Sequence, residues 1–149
     1  MKKFFIIMSL VFAYPFLMSG ETVEASNYLK EGIELFEKKE FEKSKTLFEK
    51  DIVFDPKSEK SYLYLAKIFN KNDNDTEEEI NLNSVLLLNP KNDEAMYMLT
   101  LLKIKQSNFD EAKKLLDTFV LVCKSFCSKK KEIQEKFEKL IPENAKNNN

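Results

Sequence analysis

Residues of the same character recur every 34 positions along most of this chain. Pro56 and Pro90 are 34 apart, each preceded by a turn residue, Asp55 or Asn89, and followed by a lysine. Tyr28, Tyr62 and Met96 keep the same step, as do Phe48, Leu82 and Leu116, and Ile52, Leu86 and Val120. Leu65 and Leu99 are one period apart, and Phe41 and Phe109 two. A period of this length marks a chain that stacks one supersecondary unit upon another, because a single unit cannot bury its own apolar side. Within each period apolar residues return at three and four, the spacing of an amphipathic helix. The pattern predicts helices over 26–38 and 41–54, 59–71 and 76–88, and 93–106 and 109–123. Proline follows the second helix of two units, where it ends a helix. The polar run Lys71-Asn72-Asp73-Asn74-Asp75 separates the helices of the second unit. With 43% hydrophobic and 33% charged residues, the body is rich enough in apolar side chains to fold.

These units resemble the tetratricopeptide repeat family. The first supplies Tyr28, Gly32, Leu35, Phe41, Ser44, Phe48 and Pro56; the second Tyr62, Leu65, Ala66, Phe69, Leu82 and Pro90; the third Met96, Leu99, Thr100, Phe109, Ala112 and Leu116. The resemblance covers residues 25–123 and implies an all-α fold, a right-handed superhelix of three helix pairs, with repeats over 26–56, 57–90 and 91–124. The chain departs from the pattern at Glu31, Asp75, Glu78 and Lys124. Glu78 stands where the family keeps a small residue, so the second helix of unit two is expected to be shifted or loosely packed. Beyond the third unit, Ile133, Phe137, Leu140 and Ile141 form one apolar stripe on a charged helix. A stack must cover its last apolar face, so residues 125–141 are expected to cap it.

The two ends read differently. Lys2 and Lys3 precede an apolar run of 15 residues, Phe4 to Met18, interrupted by Pro15. A spanning helix needs roughly 20 residues, so residues 1–25 are expected to be a signal peptide, cleaved after Gly20 or Ala25. The expected location is therefore outside the cytoplasm, in a bacterial periplasm or cell envelope; an uncleaved anchor is the alternative. Pro142 stops the capping helix, and residues 142–149 are a disordered polar tail. Cys123 and Cys127 are four apart, on one helical face if the helix runs on. Two buried thiols, a local disulfide and an intermolecular bond all remain open for them.

Absences exclude much chemistry. The chain has no His, and all 24 of its basic residues are Lys, so it lacks an imidazole base and a guanidinium clamp. Its two Gly do not cluster into a phosphate loop, and two Cys without His cannot complete a structural zinc site. Asp73, Asp75 and Glu77 alternate as a calcium loop begins, but Glu78 and Ser84 stand where that loop needs Gly and Glu. A net charge of −1 argues against nucleic acid. No catalysis, cofactor, metal or small-molecule substrate is expected.

The family resemblance implies a concave groove lined by the first helix of each pair, which binds a protein or peptide. The positions expected to face it are Ser26, Leu29, Ile33 and Phe36, then Lys60, Leu63, Lys67 and Asn70, then Glu94, Tyr97, Leu101 and Ile104. They give a groove with apolar ends and a lysine-bearing middle. The family's two-carboxylate clamp would need Lys, Asn and Arg at Leu29, Ile33, Tyr64, Glu94 and Met98, and none fits. The expected role is an exported adaptor within a cell-envelope complex. The alternative is a structural protein that forms a homodimer through its apolar third unit, Ala95 to Leu102. Lys129, Lys130 and Lys131 add a weak indication of peripheral membrane association.

Overall fold

The computed structural model describes residues 22–140, with side chains from residue 27 onward. The apolar run expected to be a signal peptide, the Ser26 side chain, Ile141 and the polar tail lie outside the described residues. Seven α-helices follow one another: α1 (Thr22–Glu37), α2 (Phe41–Phe54), α3 (Glu59–Lys71), α4 (Asp75–Leu88), α5 (Asp93–Lys105), α6 (Phe109–Val122) and α7 (Lys130–Leu140). Among the described residues there is no strand. The helices form three antiparallel pairs, α1 with α2, α3 with α4 and α5 with α6, and α7 packs on the last pair. The spans predicted for the three pairs match within two residues, except that α1 begins at Thr22, inside the stretch expected to be the leader; the cap, expected over 125–141, becomes an α-helix only at Lys130.

Local chemistry sets the boundaries. Asn74, Asn92 and Asn108 each accept a hydrogen bond from a first-turn N–H, of Glu77, Ala95 and Glu111. Acidic residues crowd the same first turns, where they complement the helix dipole. The turn inside each pair repeats one geometry. Lys39, Asp73 and Ser107 have φ of 63°, 51° and 58°, one period apart. Immediately after them, the N–H groups of Glu40, Asn74 and Asn108 reach back to the carbonyls of Leu35, Phe69 and Lys103 at 2.9–3.0 Å. This is a left-handed helix end closed by a six-to-one bond.

The turn between pairs is an Asx turn in two cases. The Lys57 N–H donates to Asp55 Oδ1 at 3.0 Å, and the Lys91 N–H to Asn89 Oδ1 at 3.1 Å. In the third, Cys123 holds the Asx position and is bonded to Cys127, with Cα atoms 5.2 Å apart. The helix stops at Val122, so the two cysteines do not share a helical face, and the reading as two buried thiols is corrected. One carboxylate oxygen of Asp93 accepts the N–H groups of Lys124, Ser125 and Phe126 at 2.6–2.9 Å. Burial pushes the Asp93 carboxyl up, but those backbone donors together hold it below its usual value.

The core runs along the stack in three adjoining clusters. Phe48, Leu65 and Ile68 join units one and two. Leu63, Ala66, Leu82, Val85, Ala95 and Leu99 join units two and three. Met96, Ile104, Leu116 and Phe119 meet Ile133 and Phe137 of the cap. Leu140, expected on the cap's buried stripe, is half exposed.

The small-residue position of each second helix is held by Ser44, Glu78 and Ala112, all fully buried. Ser44 Oγ donates to the Gly32 carbonyl at 2.7 Å. Glu78 keeps α4 in frame rather than displacing it, which corrects the expectation of a shifted helix. Its carboxylate takes both bonds from Asn70 Nδ2, each 3.0 Å. Burial nevertheless raises its pKa against that hydrogen bond.

Candidate functional site

The first helices α1, α3 and α5 share one face, and side chains bridge them across it. Phe36 of α1 meets Tyr64 of α3 edge-on, with centroids 5.0 Å apart. Tyr64 also stacks on Phe48 at 5.0 Å. Lys67 of α3 pairs with Glu94 of α5 at 2.7 Å, and its ammonium lies 4.8 Å from the Tyr64 ring centre. That is a cation–π geometry next to an ion pair. Burial raises the Tyr64 phenol above its ordinary value, with Glu37 and Glu94 adding to the effect. Leu29 and Ile33 border the aromatic group and, like Phe36, Tyr64, Lys67 and Glu94, are partly exposed.

The expected groove residues divide into four sets. Leu29, Ile33, Phe36 and Lys67 are brought together as described. Leu63 and Ile104 are only 8% and 3% exposed. Their side chains are spent on the core, which corrects their assignment to the groove. Asn70 is engaged with Glu78, so it is a structural partner of a buried carboxylate. Tyr97 and Leu101 pack into the cluster that holds the cap. Tyr97 lies 5.8 Å from Phe126 and 6.1 Å from Phe119, and its hydroxyl donates to Glu132 at 3.2 Å. The apolar end expected at unit three is therefore largely covered, and of the two lysines in the middle Lys67 is neutralised by Glu94 whereas Lys60 is exposed.

Sequence reasoning placed Tyr64 only at a clamp position that it fails to fit. Its signal was available: an aromatic one residue past Leu63, beside a lysine one helical turn on. Among the described residues no group of three or more Cys, Asp or Glu could hold a metal ion.

No protein-family model matches the sequence, and no curated protein matches it in a sequence search. Solved structures do match in fold. The TPR domain of Arabidopsis OM64 aligns with 82% of this chain and all of its own, at a TM-score of 0.73 and 15% identity. The Yersinia enterocolitica type III secretion chaperone SycD, solved with a peptide of the translocator YopD, aligns over 83% of this chain and 95% of its own, at 0.71 and 11% identity. The first TPR domain of Spaghetti (RPAP3), bound to the HSP90 peptide SRMEEVD, aligns over 81% and 98%, at 0.70 and 15% identity. This chain accordingly has the tetratricopeptide-repeat fold, three helix pairs and a capping helix.

Proposed function

We propose that this chain is a non-catalytic adaptor that holds a peptide or helix of a partner protein against the face shared by α1, α3 and α5. The observation that carries the reading is the partly exposed cluster of Ile33, Phe36 and Tyr64 beside the Lys67–Glu94 pair. It offers apolar burial and one oriented charge pair, the ingredients of peptide recognition in a groove. Two of the structural neighbours were solved with peptides, which supports the same use of the fold. The chemistry of the ligand differs from an acidic C-terminus. Leu29, Ile33 and Met98 offer a carboxylate nothing, and Glu94 repels it. An internal segment with apolar side chains and one or two charges fits better.

The apolar run ahead of α1 supports export and a role in a cell-envelope complex. Cleavage after Gly20 leaves α1 whole, whereas cleavage after Ala25 removes its first turn, so the earlier site is preferred. The test is crosslinking in cells followed by mass spectrometry of the envelope fraction. One dominant partner is expected, lost in Ile33→Glu and in Tyr64→Ala while the helical circular dichroism is kept. Capture that survives both substitutions overturns the site. The homodimer reading has less to rest on, because Met96, Leu99 and Leu102 of unit three are buried within the chain, while Tyr97, Met98 and Leu101 stay partly exposed.

A further inference from the structure

The exposed apolar residues of this protein repeat with the period of the stack. Val53, Leu87 and Leu121 are 76%, 84% and 84% exposed, and each is 34 residues from the next. Phe54 and Leu88, which follow two of them, are 47% and 37% exposed. Equivalent positions of stacked units form a line, so these side chains make one ridge at the C-terminal ends of α2, α4 and α6. The starts of the first helices lie along the same edge. Tyr28 of α1 stacks on Phe54 at 5.6 Å. Glu59 of α3 accepts from Asn89 and Asn92, and Asp93 of α5 holds the chain after α6. In the sequence the apolar run Phe4 to Met18 precedes α1, whose first residue, Thr22, starts at this edge.

Lysines follow the ridge at nearly the same period. Lys57, Lys91 and Lys124 are exposed, each three or four residues beyond a ridge residue, and form no ion pair among the described residues. The acids nearby are already engaged: Asp51 by Ser58 and Ser61, Asp55 by the Lys57 N–H, Glu59 and Asp93 as above. Large apolar side chains beside long cationic ones suit the headgroup boundary of a bilayer, where the apolar part enters and the ammonium stays with phosphate. A folded-back apolar segment would cover the ridge but leave those lysines without partners.

We propose that this edge is a membrane-facing surface, with Val53, Leu87 and Leu121 dipping into an anionic bilayer and Lys57, Lys91 and Lys124 on its headgroups. The chain has no tryptophan, so a single one reports its own position. The experiment compares Leu87→Trp, Leu121→Trp and Lys38→Trp, the last at the opposite edge, in the protein as isolated from cells. Vesicles of phosphatidylcholine with about 30% phosphatidylglycerol, with and without brominated acyl chains, are then added. The expected result is a blue shift and bromine quenching at 87 and 121, none at 38, and weaker quenching after Lys→Gln at 57, 91 and 124. Those three changes should weaken surface partitioning roughly a hundredfold, about fivefold for each lysine. Equal quenching at all three tryptophans, or none while protein is vesicle-bound, or no binding, overturns the proposal. So does a blue shift at 87 before vesicles are added. At dimer mass in sedimentation it assigns the ridge to a second copy, and at monomer mass to the chain's own N-terminal run.

Discussion

Two buried positions show how closely single residues are held. Gly32 lies in α1 against Phe48, and a Cβ built there falls 2.7 Å from the Phe48 ring. Phe48 is fully buried, so it has nowhere to go. Alanine would gain about 1 kcal/mol of helix propensity and lose about 1–3 kcal/mol to overpacking. Gly32→Ala is expected to lower the denaturant midpoint, and an unchanged or raised midpoint would show that the ring yields. Glu78 bears on pH. Its pKa is raised in the folded chain by burial, so the native state binds a proton more tightly than the unfolded state. Stability then falls as pH rises through the carboxylate range, and the penalty persists at neutral pH. Glu78→Gln is expected to melt higher than the parent at neutral pH, with the gap closing as pH drops below that range. Neither effect was legible in the sequence. The family pattern marked Glu78 as a misfit, but only the geometry shows that the amide of Asn70, expected in the groove, donates to it.

Helix existence and limits were largely readable, because apolar periodicity, polar runs and prolines agreed with one another. The turns inside the pairs were not. Lys39, Asp73 and Ser107 take a left-handed conformation that normally advertises itself by glycine, and this chain puts none there. Lys39→Gly is therefore expected to stabilise the protein by about 0.5 kcal/mol, the relief of strain outweighing the added freedom of the unfolded chain. A loss of stability in urea would contradict that balance. The junction after α6 was legible only in part: the local disulfide was one open reading of Cys123 and Cys127, whereas the role of Asp93 in replacing the Asx–proline turn was hidden. Closing so short a loop restricts the unfolded chain by about 2 kcal/mol. Reduction should lower the melting temperature and speed hydrogen exchange in α7, leaving α1 to α4 protected. Uniform loss of protection would place the junction at the centre of one cooperative unit.

The stack as a whole was foreseeable, because a repeated unit imposes its own architecture. Which surfaces it leaves open was less so. Sequence reasoning looked for exposed apolar groups on the first helices, but the structure spends those of unit three on the cap. It overlooked the second helices, whose outward Val53, Leu87 and Leu121 follow the same period as the core and so read as part of it. Position in the helix end, rather than residue type, separates the two. The cap itself behaves as predicted in kind: Ile133 and Phe137 are buried against unit three.

A stack of like units carries, at each end, a surface shaped to receive another unit. Here the two ends are not alike. On α1 the outward residues are Asn27, Lys30, Glu31 and Glu34, all exposed and polar, whereas the far end is apolar beneath α7. Polymerisation head to tail would need an apolar tail to meet an apolar head, and among the described residues α1 offers no such head. Lifting α7 with Ile133→Ala and Phe137→Ala should therefore stop at pairs joined tail to tail, seen as a dimer and not a ladder in sedimentation. Among the described residues, the charge on the first helix is what guards the stack against fibre growth, whatever the state of its last.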